Sequence, residues 1–213
     1  MRVLLLRTAA ELVAEGKAPS VAEVADAADV SRRTAYRYFP TQEQLLTEVS
    51  LEHLRPRVEG ALKIAAERSS PAEVLDVAVT GIQRIAVEND ALLRAIVRLS
   101  LDKRLGGQLT DIPEATPVRG SRRVEWIESV LAPVRPLLKG SLFERLVSGL
   151  TLCLGIESLI TLQDVRCLAS EDAIEICRWA AHGMLEATLR EQSAQAAKSR
   201  RSRKQPENAG SRR

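Results

Sequence analysis

Residues 20–39 read SVAEVADAADVSRRTAYRYF, and the fold turns on this stretch. Ser20 and Glu23 stand at capping-box spacing, in which a hydroxyl and a carboxylate satisfy amide donors at a helix start. Val21, Val24, Ala25 and Ala28 follow as an apolar stripe at helical spacing. Asp29 closes the stripe, and Asp tolerates a left-handed backbone better than most residues. Ser31 is placed to cap a second helix carrying Arg32, Arg33, Thr34, Tyr36, Arg37 and Tyr38. Thr41 and Gln44 repeat the capping-box spacing just after Pro40. Two short helices, a tight turn and a cationic second helix predict a helix-turn-helix, whose second helix enters the major groove of DNA.

Working outward, a first helix is predicted from Arg2 to Glu15, ended by Gly16. Its inward residues Leu5, Ala9, Leu12 and Val13 face Val24, Val30, Phe39 and Leu45. A helix opening at Thr41 runs toward Ala66, interrupted or bent near Pro56. Ser70-Pro71-Ala72-Glu73 is the next start, a capping box with proline at the first position. Its apolar side is Leu75, Val79, Ile82 and Ile85. Leu92, Leu93, Ile96, Val97 and Leu101 mark another helix, residues 106–120 read as loop, and Val124–Leu131 is a helix carrying Trp126. Leu142 to Leu162 is apolar on nearly every face and reads as one buried helix, packed on its own domain and on another subunit. Ser170, Glu171 and Asp172 start the last helix, the acids complementing its dipole. Apolar positions recur at i, i+3 and i+4 without strict alternation, so the fold class is all-α: an N-terminal three-helix helix-turn-helix domain and a C-terminal helical domain.

The string RTAAELVAEGKAPSVAEVADAADVSRRTAYRYFPTQEQLLTEV resembles the DNA-binding domain of the TetR (tetracycline-repressor) family. The matching pieces are AAELVAEG at 9–16, V-A-x-x-A-x-V-S at 24–31, and T-x-Y-x-Y-F-P-x-x-E-x-L-L at 34–46, together about the first 50 residues. Relatives usually carry Gly at the position of Asp29, a larger aliphatic at Ala35 and often Lys at Gln42. They also have a short basic leader that this sequence does not show. The resemblance implies a homodimer, paired through the helices near 142–163 and 170–190 as a four-helix bundle, with a ligand-sensing body. The expected division is a DNA-binding domain at 1–50, a ligand-sensing and dimerisation domain at 51–191, and a disordered basic tail at 192–213.

The chain has 213 residues and a net charge of +3. That balance is uneven: Lys198, Arg200, Arg201, Arg203, Lys204, Arg212 and Arg213 face only Glu207 in the last stretch, which leaves the body slightly acidic. The tail is low in complexity, as expected of disorder. Cys153, Cys167 and Cys177 lie in apolar sequence without framework spacing and read as buried free thiols. Val3-Leu4-Leu5-Leu6 is too short for a signal peptide core and nothing spans a bilayer, so a cytoplasmic protein is expected. His53 and His182 are far apart, and no metal spacing, phosphate loop or nucleophile triad stands out. An enzyme, a metal and a cofactor are therefore not expected.

By analogy with family positions, Arg32 and Arg33 read base edges, guanine O6 and N7 suiting the guanidinium fork. Arg37 shares a face with Arg33. Thr34, Tyr36 and Tyr38 stand where relatives contact phosphates, and Ser20, Ser31, Thr41 and Gln42 sit at helix starts that favour phosphate. Candidate polar groups for a ligand are Gln83, Arg94, Arg98, Trp126, Glu157 and Gln163 on otherwise apolar helices. The function expected is a transcriptional regulator, a repressor that binds a palindromic operator and is released by a small apolar effector. The competing reading is a non-enzymatic helical interaction protein with a degenerate helix-turn-helix.

Overall fold

A computed structural model describes residues 1–105 and 122–204 of the chain. The stretch expected as loop at 106–120 and the tail beyond Lys204 lie outside the described residues. The described residues form ten α-helices and no strand: α1 (Arg2–Ala14), α2 (Val21–Ala27), α3 (Arg32–Tyr38), α4 (Gln42–Ala66), α5 (Pro71–Glu88), α6 (Asp90–Leu105), α7 (Arg122–Val130), α8 (Gly140–Cys153), α9 (Ile156–Ile160) and α10 (Ser170–Lys204). A 3₁₀ turn, Arg135–Leu137, precedes α8, and a π turn, Thr161–Val165, follows α9. The all-α class expected from the 3.6-residue periodicity is what the chain adopts.

The head is α1 to α3 closed by the first turns of α4. Leu5, Ala9, Val24, Ala25, Ala35, Phe39, Leu45 and Leu46 are at most 1% exposed and form its core. Its reversals are locally written. The Lys17 amide donates to the Leu12 carbonyl at 3.1 Å and Gly16 to Val13 at 2.9 Å, with Gly16 at φ +81°, a Schellman motif. The helix-turn-helix repeats the device: Val30 donates to Ala25 at 2.9 Å and Asp29 to Asp26 at 3.3 Å, with Asp29 at φ +53°. Asp29 thus holds the left-handed position its sequence context predicted.

In the body, α5 runs through the centre against α4 and α10. Its apolar face, Val74, Leu75, Ala78, Val79, Ile82, Ile85 and Ala86, is buried. Gly81 lets α4 approach closely, since a Cβ there would stand 2.8 Å from that of Ala61.

Four expectations are corrected. The helix of Leu142–Leu162 is two, α8 and α9, because Gly155 takes φ +109° and the axis turns by 51° across the break. Neither half, nor any other single helix among the described residues, is long and apolar enough to cross a membrane. Of the interruption or bend expected near Pro56, the interruption is absent: α4 runs from Gln42 through Pro56 to Ala66. Pro56 and Glu52 are both exposed, so water can reach the Glu52 carbonyl that loses its helical donor. The last helix does not end before Gln192 but continues to Lys204. Residues 191–198 (EQSAQAAK) are mostly strong helix formers, and Gln192 accepts from the Lys139 amide at 3.1 Å while Gln195 accepts from its ammonium at 2.9 Å. Cys153 and Cys177 are buried as expected, but Cys167 is exposed: at φ +54° it is the left-handed residue that turns the chain into α10.

Candidate nucleic-acid interface and body cavity

The second helix of the helix-turn-helix, α3, is anchored by one face and free on the other. Ala35 is buried, and Phe39, just past its end, is 1% exposed. Arg32, Arg33, Tyr36 and Arg37 point outward. Arg33 makes no ion pair or side-chain hydrogen bond among the described residues. Arg32 differs: its Nε and Nη2 donate to the two carboxylate oxygens of Asp26 at 3.0 and 2.7 Å. This bidentate hydrogen bonding lowers the Asp26 pKa from its ordinary value and raises that of Arg32. The fork of Arg32 is therefore directed at α2, while that of Arg33 is open. Arg37 lies over the Tyr38 ring, 5.4 Å from its centroid.

The two tyrosines separate. Tyr36 is 47% exposed, whereas Tyr38 is half-buried and packs on the head core. The hydroxyl candidates are engaged in capping. Ser20 accepts from the Glu23 amide and Glu23 accepts from that of Ser20, which lowers the Glu23 pKa. Ser31 accepts from the Thr34 amide at 3.2 Å and bonds the Thr34 hydroxyl at 2.9 Å. Thr41 accepts from the Gln44 amide at 3.2 Å, the forward half of the expected box. Gln42 donates its side-chain amide to the Ala18 carbonyl at 3.0 Å, tying α4 to the α1–α2 loop. These residues shape the surface that presents Arg33, Tyr36 and Arg37.

Between α4, α5, α6 and α7 lies a cavity of about 480 Å³. Leu54, Val58, Ile82, Ile85, Leu93, Ile96 and Ile156 make its apolar walls, and Trp126 closes one side. It reaches Glu43, Thr47 and Ser50 on the same helix whose Leu45, Leu46 and Val49 belong to the head core. Of the candidate ligand residues, Trp126 alone lines this space. Gln83 is fully buried elsewhere: its amide donates to the Cys153 carbonyl, the Ser158 hydroxyl and the Cys177 sulfur, and its oxygen accepts from Gly155 at 2.9 Å. Glu157 pairs with Arg123 at 2.7 Å beneath Gly155 and faces a neighbouring groove. Arg98 is exposed, Gln163 bonds the Ser170 hydroxyl, and Arg94 bridges Asp90 and Asp164, which raises its own pKa and lowers that of Asp164.

The sequence places a subunit contact near 142–163 and 170–190, with small Ala180, Gly183 and Ala187 permitting close approach, but does not single out the large exposed residues of that surface. Trp179 and Leu152 are each 73% exposed and Ile176 is 43% exposed, on the outer faces of α10 and α8. Ala180, Gly183 and Ala187 continue the stripe, and no neighbour lies within 4 Å of a Cβ built at Gly183. The signal was present as Ile176-x-x-Trp179-Ala180-x-x-Gly183, helical spacing on a face opposite to Ile174, Cys177 and Ala181. No group of three or more metal-ligating side chains is found among the described residues.

Residues 5–49 match the family model of the bacterial regulatory proteins, tetR family. No curated protein matches the chain. The match covers the head alone and identifies it as the DNA-binding domain of a transcriptional regulator.

Proposed function

We propose that this chain, a regulator with a TetR-family head, is a cytoplasmic homodimeric repressor that leaves its operator when a small, largely apolar molecule fills the body cavity. The observation that carries the reading is α4, an unbroken helix that belongs to both sites: its first turns complete the head core, and Leu54 and Val58 wall the cavity. A molecule that prefers one position of α4 shifts the dimer toward one placement of its heads, by no more than its differential affinity for the two.

Arg33 and Arg37 are the base readers in this account, with Arg32 held in reserve by Asp26. Tyr36 and Thr34 contact phosphate, which positions the head without reading sequence. The apolar stripe of Trp179, Ile176 and Leu152 is the subunit interface, since a monomer rarely leaves such a patch to water. The last helix beyond Gln192 adds basic charge that binds phosphates by counterion release. A twofold dimer places its α3 helices in successive major grooves, about 34–36 Å apart.

Selection of bound duplexes from a random library tests this directly. The expected product is an inverted repeat whose half-site centres lie about 10–10.5 base pairs, or a multiple, apart. No enrichment would instead favour a helical interaction protein whose helix-turn-helix has lost DNA.

A further inference from the structure

The cavity walls are largely apolar, with polar groups from α4 (Glu43, Thr47, Ser50, Arg55), α6 (Ser100) and α7, and on α7 the charge is not balanced. Three guanidiniums line the space: Arg55, Arg122 and Arg123. Arg55 is paired with Glu59 at 2.6 Å and Arg123 with Glu157 at 2.7 Å. Arg122 has no such partner among the described residues, and its Nη1 is buried without a hydrogen bond. The carboxylates on the same walls do not supply one. Glu43 is itself engaged, and Glu125 is exposed. A buried donor on a charged group left without an acceptor is costly, and the cost falls when an anion arrives.

We propose that the cavity takes an apolar molecule bearing one anionic group, which Arg122 receives while the body of the molecule lies against Leu54, Val58, Ile82, Leu93 and Ile96. This deepens the reading of the cavity as the effector site and rests on it. The carboxylate or phosphate oxygens accept from the Arg122 guanidinium, and no covalent step is involved. Specificity then lies in charge at one end and apolar length at the other, within a volume typical of small-molecule pockets.

The test uses the full-length protein and four probes of one chain length: decanoate, decyl phosphate, decanol and decyltrimethylammonium, each below its micelle concentration. Calorimetric titration should rank the two anions about ten- to a hundredfold above decanol, with the cation weakest. Comparison of the two anions tells a carboxylate from a phosphate head. Arg122→Met should bring the anions down to the level of decanol without weakening decanol, and Arg122→Lys should retain most of the preference. Circular dichroism confirms that each variant is folded, and Arg122→Gln is the substitute should the methionine variant fail to fold. Equal binding of decanoate and decanol, or an unchanged preference in Arg122→Met, overturns the anion assignment while leaving the cavity as an apolar site. If no probe binds and Ile96→Trp leaves operator affinity unchanged, the effector-site reading fails as well.

Discussion

In the head, the reversals at Gly16 and Asp29 are closed by backbone bonds to carbonyls five residues back. In the body, the decisive turn at Gly155 is closed by Gln83, seventy-two residues away, from the middle of another helix. The first kind of turn is encoded in a few adjacent residues and survives changes elsewhere. The second exists only when α5, α8 and α10 are already packed. The same division runs through function: the head presents an exposed cationic helix on a local frame, and the body makes its cavity and its apolar outer face from helices distant in sequence. α4 is where the two meet.

Breaking the body at its outer face should have the largest effect. Trp179→Glu combined with Leu152→Glu places like charges on the proposed interface, so sedimentation should show monomers. Operator affinity should fall by about a hundredfold or more as the two heads cease to bind together. A tight dimer in the double variant would remove that face from the interface. Next in size, Gln83→Leu leaves the Gly155 amide and the Cys153 carbonyl without their side-chain partner, and urea unfolding should report a loss of about 2–4 kcal/mol. The DNA sequence it selects should not change, since the head is built without it. Neutrality would mean that the turn at Gly155 is locally encoded after all.

The head can be divided more finely. Arg33→Ala should cost about 1–3 kcal/mol of binding and relax preference at one base, and Arg32→Ala should cost less because its fork already faces Asp26. The reverse order, by fluorescence anisotropy on matched and mismatched duplexes, would make the Asp26 pair a feature of the free protein only. Asp29→Gly should stabilise by about 0.5–1 kcal/mol, because glycine takes a left-handed backbone without strain, and raise the melting temperature by about 1–4 °C. The smallest effect is on pH. The Glu23 pKa is lowered in the fold, so the capping box contributes above the ordinary Glu range and is lost as pH falls through the lowered value. Glu23→Gln should flatten that acid limb of the melting curve; an unchanged limb would assign it to other carboxylates.

The head was almost wholly legible because each of its signals is short. The Ser20 box, the Asp29 turn and the Ser31 cap are spelled within four residues of their effect. What could not be read there was the pairing of Arg32 with Asp26, which depends on the angle between α2 and α3. In the body, helix starts at Ser70 and Ser170 and the order of helices were legible. The break at Gly155 was not, since glycine inside an apolar run marks a turn only once Gln83 is buried against it. The same burial makes Gln83 structural, although a polar residue on an apolar helix had suggested a ligand contact. Trp179 was missed because α10 carries two apolar faces, and periodicity does not tell which one meets its own subunit.

The central claim is that α4 transmits the state of the cavity to the placement of the heads. Its most direct test is the distance between spin labels at Ala27→Cys on the two heads of a dimer carrying Cys167→Ser, measured by pulsed dipolar spectroscopy with and without Ile96→Trp, which fills the cavity from α6. Ala27 is exposed at the end of α2, and Ile96 lines the cavity from α6. The account predicts a shifted head-to-head distance together with weaker binding to the selected operator. An unchanged distance and unchanged affinity in a folded, cavity-filled dimer would contradict it.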